Sequence, residues 1–401
     1  MADFARSTHP GVQAQLDRLP ALSTPGDSLG LTRIRALLDR LGRPQDSLPP
    51  VLHVAGTNGK GSTCAMLRAA LEAAGHRVHA FTSPHLVRFN ERIRVAGTLI
   101  DDAMLEALLA EAIDAGDGIA PTFFEVATAA AFLAFARIPA DACVIEVGLG
   151  GRLDATNVID SPLVCGIAAI GFDHQQYLGH TLGEIAAEKA GIARAGVSLV
   201  SLAQPPEAQA AIACVAGSVN APLLVEGRDW QADLSFEPNL RGAHQIRNAS
   251  LAWQMVAAQD QLAVPRAAFL KGIGNVRWPA RFQRLRDDVA TWVDGAHNPQ
   301  AATALGELLA TTGPMHLILG ILANKDADAI VAALARHALS LTFVPVPDHA
   351  HHDPAELAKR FGGAAAQSLD NALADVPGPR LIAGSLYLAG LALALTGELP
   401  D

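Results

Sequence analysis

The chain has 401 residues, half of them apolar and 17% charged, with a formal net charge of −10 at pH 7. That length accommodates two domains, each with its own core, and the acidic balance, without a lysine or arginine block, argues against nucleic acid or an anionic membrane as partner. No run approaches the roughly 18 apolar residues of a membrane span, and MADFARSTHPGVQAQL lacks the apolar centre of a secretory leader, so a soluble, cytoplasmic protein is expected.

Short apolar runs of strand length alternate with alanine- and leucine-rich segments of helical length, the pattern of α/β units around a mostly parallel sheet. SLG (28–30) precedes a helix beginning near Leu31. VLHVAG (51–56), HRVHAFTS (76–83), ACVIEVG (142–148), LVCGIAAI (163–170) and VSLVSLA (197–203) read as strands, with helices over 60–75, 101–116, 122–137, 181–194 and 205–217. Helical patterning continues through AHQIRNASLAWQMVAAQD (243–260) and PRAAFLKGIG (265–274). The rhythm then restarts: the strand ATWVDGAHN, a helix from Pro299, MHLILGI, a helix from Asp326, LSLTFVPV, two short helices, and RLIAGS leading into SLYLAGLALAL. The polar run QRLRDD places a boundary that gives domains 1–285 and 286–401. The expected fold is a large P-loop-type α/β domain with a mostly parallel sheet, followed by a smaller Rossmann-like α/β domain. The cysteines at 64, 143, 165 and 214 stand far apart in apolar segments, which predicts buried, reduced thiols.

The stretch GTNGKGST (56–63) joins a buried strand to a helix. Glycines there let backbone N–H groups approach phosphate oxygens, the helix N-terminus favours the anion, Lys60 neutralises it, and a hydroxyl at Ser62 or Thr63 can reach Mg²⁺. The spacing departs from GxxxxGK[ST]: Gly59 follows Gly56 closely and Gly61 follows the lysine. Taken alone, an incidental lysine in a glycine-rich turn fits as well. Glu146 interrupts an apolar strand, where a carboxylate needs a cation or hydrogen bonds to offset its burial. Mg²⁺ beside a triphosphate is one such cation, and exposure at a strand end is the alternative. FTSPHLVRFNERIRV (81–95) reads by itself as a turn followed by a strand with Arg92 and Arg94 facing water. PTFFEVATAAAFLAFA (121–136) reads as a core helix, and Lys189 as an ordinary solvated helical lysine.

Together these segments resemble the Mur ligase superfamily, and within it the folylpolyglutamate and dihydrofolate synthases, from about residue 28 to 392. The short GTNGKGS loop, SPHL, GLGGRLDATN (148–157) and the long DHQQYLGHTLGEIAAEKAGI (173–192) carry that resemblance. It implies an ATP site at Gly56, Thr57, Asn58, Gly59, Lys60, Gly61, Ser62 and Thr63, with Asn248 of HQIRNAS and Arg281 of WPARFQ on the nucleotide. The resemblance also implies two Mg²⁺ ions, held by Ser62, Ser83, Glu146, His174 and a carbamylated Lys189. The pteroate end of the substrate would contact Ser28, Leu29 and Gly30, Thr122, Phe123, Phe124 and Glu125, and Leu153, Asp154 and Ala155. Asp294 and His297 of VDGAHNP would close over ATP and the incoming amino acid. Ala280 stands where the family carries glycine, and Asn298 followed by Pro299 also reads as an ordinary helix start.

The implied reaction is ATP-dependent addition of L-glutamate to dihydropteroate, to a reduced folate, or to both, through an acyl phosphate, by a monomer. A cell-wall Mur ligase uses the same chemistry on a muropeptide, and a P-loop regulator would bind nucleotide without ligation. The first disagrees with GKGS, SPHL and TFFE. The second leaves Glu146, His174 and Lys189 without a common purpose.

Overall fold

The computed structural model describes residues 7–22, 29–286 and 289–400. One compact unit comprises Met1–Asn239 and Ile246–Val276, the other Leu240–Gln245 and Arg277–Pro400. The second unit therefore begins ahead of QRLRDD and takes in WPARFQ.

The first unit is built on eight strands: β1 (Val51–Ala55), β2 (Val78–Phe81), β3 (Ile93–Val95), β4 (Thr98–Leu99), β5 (Ala142–Glu146), β6 (Val164–Ile167), β7 (Leu199–Ser201) and β8 (Leu223–Val225). Their order is β4-β3-β2-β5-β1-β6-β7-β8. The pairings β2–β5, β5–β1, β1–β6, β6–β7 and β7–β8 are parallel, while β3 and β4 add an antiparallel edge. All five residues of β1 and of β5 are buried, as expected of central strands covered by helices on both faces. The helix Phe123–Arg137 is buried continuously from Glu125 to Phe135, and Phe132, Phe135 and Val126 in it join Phe81, Ile145 and Leu105 in one core. Each such side chain contributes about 1.5–3 kcal/mol through burial.

The second unit carries β9 (Gln283–Arg284), β10 (Thr291–Val293), β11 (Met315–Leu319), β12 (Ala338–Phe343), β13 (Ala364–Ala365) and β14 (Arg380–Ala383), ordered β13-β12-β11-β14-β10-β9. Every pairing is parallel except β9–β10. Asn298 caps the helix Pro299–Thr312 by accepting from the Ala301 N–H, with proline at its first position. The α/β architecture in two units agrees with the sequence expectation. The helix Pro10–Leu22 and the short strands β8 and β13 were not foreseen. No helix among the described residues is long and apolar enough to cross a membrane.

Two expectations fail. Cys214 is exposed, whereas Cys64, Cys143 and Cys165 are buried; burial pushes the Cys165 thiol up to about 12 and the Cys64 and Cys143 thiols upward, so these three are poor nucleophiles. Arg92 does not face water. It is 1% exposed, its Nε donates to His85 Nδ1 over 2.8 Å, and its guanidinium lies 5.6 Å and 5.3 Å from the rings of Phe89 and Phe123. Flat aromatic faces accept an arginine where water is absent.

Candidate active site

The nucleotide loop follows β1 directly. Gly56 and Gly59 take φ of 149° and 89°, a region that penalises side chains, and a Cβ on Gly59 would stand 2.5 Å from Asn248 Oδ1. Asn248, itself 3% exposed, is thus packed against the loop. Thr57 and Asn58 both donate their N–H to Ala169 O, at 2.8 and 3.1 Å. The donors that remain for an anion belong to Gly59, Lys60, Gly61 and Ser62, at the start of the helix Lys60–Ala73, where N–H groups have no partner one turn back.

Lys60 Nζ lies 3.3 Å from Thr57 O and 4.0 Å from Glu146 Oε1. Glu146 ends β5 but is 4% exposed, which removes the reading as an exposed strand end. Its Oε2 accepts the Ser83 N–H at 3.2 Å. Ser62 Oγ and Thr63 Oγ1 are buried and have no hydrogen-bond partner. A buried carboxylate, together with orphaned hydroxyl oxygens in the helix that follows the loop, fits a hard, oxygen-seeking cation. Among the described residues no three His, Cys, Asp or Glu side chains converge. Mg²⁺ is compatible with so few protein ligands, because it completes its shell from phosphate and water.

Beside this cation corner lies the 148–159 loop. A Cβ on Gly148 would meet Phe124 Cζ at 2.3 Å, and one on Gly151 would strike the backbone of Glu188 and Lys189. The glycines thus seat the loop between the start of the helix Phe123–Arg137 and the helix Leu182–Ala190. Asp154 accepts from Leu149 N at 2.8 Å and from Thr156 N and Oγ1 at 3.0 and 2.5 Å. His53 of β1 adds Nε2 to Thr156 Oγ1 at 2.9 Å. Burial lowers the His53 pKa to about 3, with Arg194 contributing, so the ring is neutral. Leu153 is half-buried and Ala155 buried.

Glu125 proves to be an organising residue. Its Oε2 accepts the Thr122 N–H at 2.6 Å while Thr122 Oγ1 accepts the Glu125 N–H, a reciprocal cap, and Arg33 Nε sits 3.1 Å from the same oxygen. Arg33, missed in the sequence, links the helix Thr32–Arg40 to the TFFE segment. Leu29 and Gly30 precede that helix and are half-buried, and Phe123 packs edge-on to Phe89 at 5.7 Å. Ser28 lies outside the described residues.

Lys189 is 5% exposed. Burial first, then the charge of Lys60, lower its pKa to about 7 against the opposing pull of Asp173 and Asp154. His174 adopts φ 51°; its N–H donates to Asp173 Oδ1 at 2.9 Å, and its Nε2 lies 3.9 Å from that oxygen. Within the first unit the structure therefore gathers the loop 56–63, Ser83, Glu146, Asn248, Asp173, Lys189, Phe124 and the 148–159 loop.

Arg281, Asp294 and His297 belong to the second unit. Asp294 Oδ2 accepts from Phe282 N and Oδ1 from Ala296 N, both at 2.8 Å. Burial raises the Asp294 pKa against the opposing charge of Arg281. His297 Nδ1 lies 2.8 Å from Gly295 O. Asp294 thus ties the arginine segment to the AHN turn through the backbone. Ala280 takes φ 55° and is fully buried. Relief of that conformation by glycine is worth about 1–2 kcal/mol, glycine's unfolded-state freedom takes back about 0.5–1, and the lost methyl about 0.8. Ala280→Gly is therefore expected to shift stability by less than about 1 kcal/mol in either direction, seen as a change in Tm of about 4 °C or less.

A family profile described as Mur ligase, glutamate ligase domain, matches residues 280–377. The chain is 37% identical over 310 residues to the dihydrofolate synthase/folylpolyglutamate synthase of Bacillus subtilis, covering 70% of this chain and 72% of that one. It is 34% identical over 404 residues to a probable bifunctional folylpolyglutamate synthase/dihydropteroate synthase of Halobacterium salinarum, covering 90% of this chain but 49% of that one, so it spans about half the relative's length. In structure it resembles E. coli FolC in complex with DHPP and ADP, with a TM-score of 0.88, 30% identity and coverage of 96% and 97% of the two chains. Matched in sequence across most of its length and in fold across nearly all of it, the chain belongs to the dihydrofolate synthase/folylpolyglutamate synthase family of ligases.

Proposed function

We propose that this protein uses ATP to join L-glutamate to the carboxylate of dihydropteroate, of a reduced folate, or of both, as a cytoplasmic monomer. The observation that carries the reading is buried Glu146 with Lys60 Nζ 4.0 Å from its Oε1 at the mouth of a glycine loop, and an orphaned Ser62 hydroxyl buried in the helix that follows. The relatives favour a folate-type substrate over a cell-wall precursor.

In this reading the N–H groups of Gly59 to Ser62 and the Lys60 ammonium hold the nucleotide phosphates, and Asn248 braces the loop. Thr122, Phe123, Phe124, Leu153, Asp154 and Ala155 border the pteroate, with Glu125 and Arg33 fixing the segment. The substrate carboxylate attacks the γ-phosphorus, ADP leaves, and the glutamate amine displaces phosphate from the acyl phosphate to form the amide. Two anions must approach each other, so charge neutralisation and positioning supply most of the acceleration. Ser62, Ser83 and Glu146 would hold Mg²⁺, which when bound neutralises phosphate charge; His174 and a carbamylated Lys189 would hold a second ion. Domain 1–285 is read as the nucleotide and pteroate part and 286–401 as the glutamate-ligase part, with Arg281, Asp294 and His297 acting on ATP and the amino acid.

Carbamylation needs an uncharged amine: the Lys189 nitrogen bonds to the carbon of CO₂ and releases a proton. With a pKa of about 7, the amine is largely free at pH 8. Nuclear magnetic resonance of protein equilibrated with ¹³C-bicarbonate should show a carbamate at pH 8 that fades as pH falls through 7 and is missing from Lys189→Ala. A signal that is independent of pH, or retained in that variant, would remove Lys189 from this role. The unmodified chain should also gain stability as pH rises from about 7 toward the ordinary lysine value of 10.5, because the unfolded state binds the extra proton across that window.

The assay that tests the function follows phosphate release from ATP with L-glutamate and, separately, dihydropteroate and tetrahydrofolate. Release that needs glutamate and either pterin supports the reading, and release with both establishes bifunctionality. No release with either pterin refutes it.

A further inference from the structure

We propose that Gln204, outside every motif named above, is a positioning residue for the phosphate loop. The inference rests on reading that loop as a nucleotide site. The loop is bonded to the chain just beyond β6: Thr57 N and Asn58 N both donate to Ala169 O, Thr57 Oγ1 donates to Gly171 O at 3.0 Å, and Gly171 N donates back to Thr57 Oγ1 at 3.1 Å. It hangs on the three residues Ala169–Gly171, just beyond the end of β6.

Those residues are themselves off the sheet. On the β1 side, Ala168 N still donates to Ala55 O at 2.8 Å. On the other side the ladder stops after Leu202 N donates to Ile167 O at 3.1 Å, and the Ala203 N–H turns away to Glu226 Oε2 at 2.7 Å. β7 itself ends at Ser201. The Gln204 carboxamide takes its place: Nε2 donates to Ala168 O at 3.0 Å, and Oε1 accepts from Ile170 N at 2.9 Å. One side chain thus satisfies the carbonyl before Ala169 and the N–H after it, as a neighbouring parallel strand would. Ala169 is clamped between that amide and the loop, with its carbonyl aimed at Thr57 and Asn58.

The chemistry demands glutamine. A carboxylate at this position sets a lone pair against Ala168 O, and an apolar side chain removes both of these bonds. Either change frees the Ala169 carbonyl to move, and the loop N–H groups with it, so the loss falls on the nucleotide. Such outer supports of a binding group are worth about 10–100-fold in affinity when removed.

The test is Gln204→Glu and Gln204→Met in the full chain, with MgADP as the equilibrium probe and KM for ATP and for L-glutamate as kinetic readouts. In whichever variant folds, the Kd for MgADP and the KM for ATP should rise about tenfold, while the KM for L-glutamate stays within twofold. A general structural defect would lower the active fraction and leave both KM values in place. That result, or an MgADP Kd within twofold of the parent, overturns the proposal. Failure of the parent protein to bind MgADP counts instead against the nucleotide site itself, which keeps the two readings separable.

Discussion

Lys60→Ala is expected to lower the ligation rate by about a hundredfold to a thousandfold, the range seen when one preorganised charge stabiliser is removed from a closed site. Lys60 opens the helix Lys60–Ala73, and its ammonium stands over the loop, 3.3 Å from Thr57 O and 4.0 Å from Glu146 Oε1. Alanine is the better helix former, so the circular dichroism spectrum should not change. A second effect follows from the charge that Lys60 exerts on Lys189. Without it the Lys189 pKa rises, and CO₂ uptake should require a higher pH in the variant than in the parent. Single-turnover product formation and the ¹³C titration read these two outcomes independently. A rate within tenfold of the parent would take Lys60 out of the chemistry.

The second large effect is expected for Glu146→Gln. Glutamine keeps the volume and an oxygen for the Ser83 N–H, now 3.2 Å from Oε2, and removes only the charge. The change also removes one partner of the buried pair with Lys60, a loss that costs up to about 3–5 kcal/mol, so Tm should fall while the protein stays folded at the assay temperature. The ligation rate should nonetheless fall by about a hundredfold, and the Mg²⁺ concentration for half-maximal ATP binding should rise. Loss of rate without loss of fold separates a cation-binding carboxylate from a structural one. An unchanged Mg²⁺ requirement would assign Glu146 to the scaffold.

Much of this was legible in the chain, and for identifiable reasons. The run VLHVAG, glycines, a lysine and then an alanine-rich helix can only be a strand-to-helix turn, and the turn is where it was expected. Periodicity also held information that residue type obscured. Lys189 lies four residues after Ile185 and three after Ala186, on the buried face of its helix, so its burial follows from spacing although lysines are ordinarily solvated. Cys214 is the converse: the buried positions of its helix are Ala208, Ile212 and Ala216, and 214 falls on the opposite face despite apolar neighbours.

Other features depend on contacts that no local pattern encodes. Arg92 is buried because Phe123, from a distant segment, supplies an aromatic face. Glu125 organises its segment through Arg33, 92 residues earlier, and Gln204 reaches Ala168 and Ile170 across the sheet. A single polar residue in a loop has no periodicity and no motif, so only the fold reveals what it holds.

The central claim is that ATP activates the pterin substrate's own carboxylate. Dihydropteroate labelled with ¹⁸O in that group, turned over with ATP and L-glutamate, tests it directly: the account predicts one ¹⁸O atom in each phosphate released, and phosphate free of label while amide is formed would contradict it.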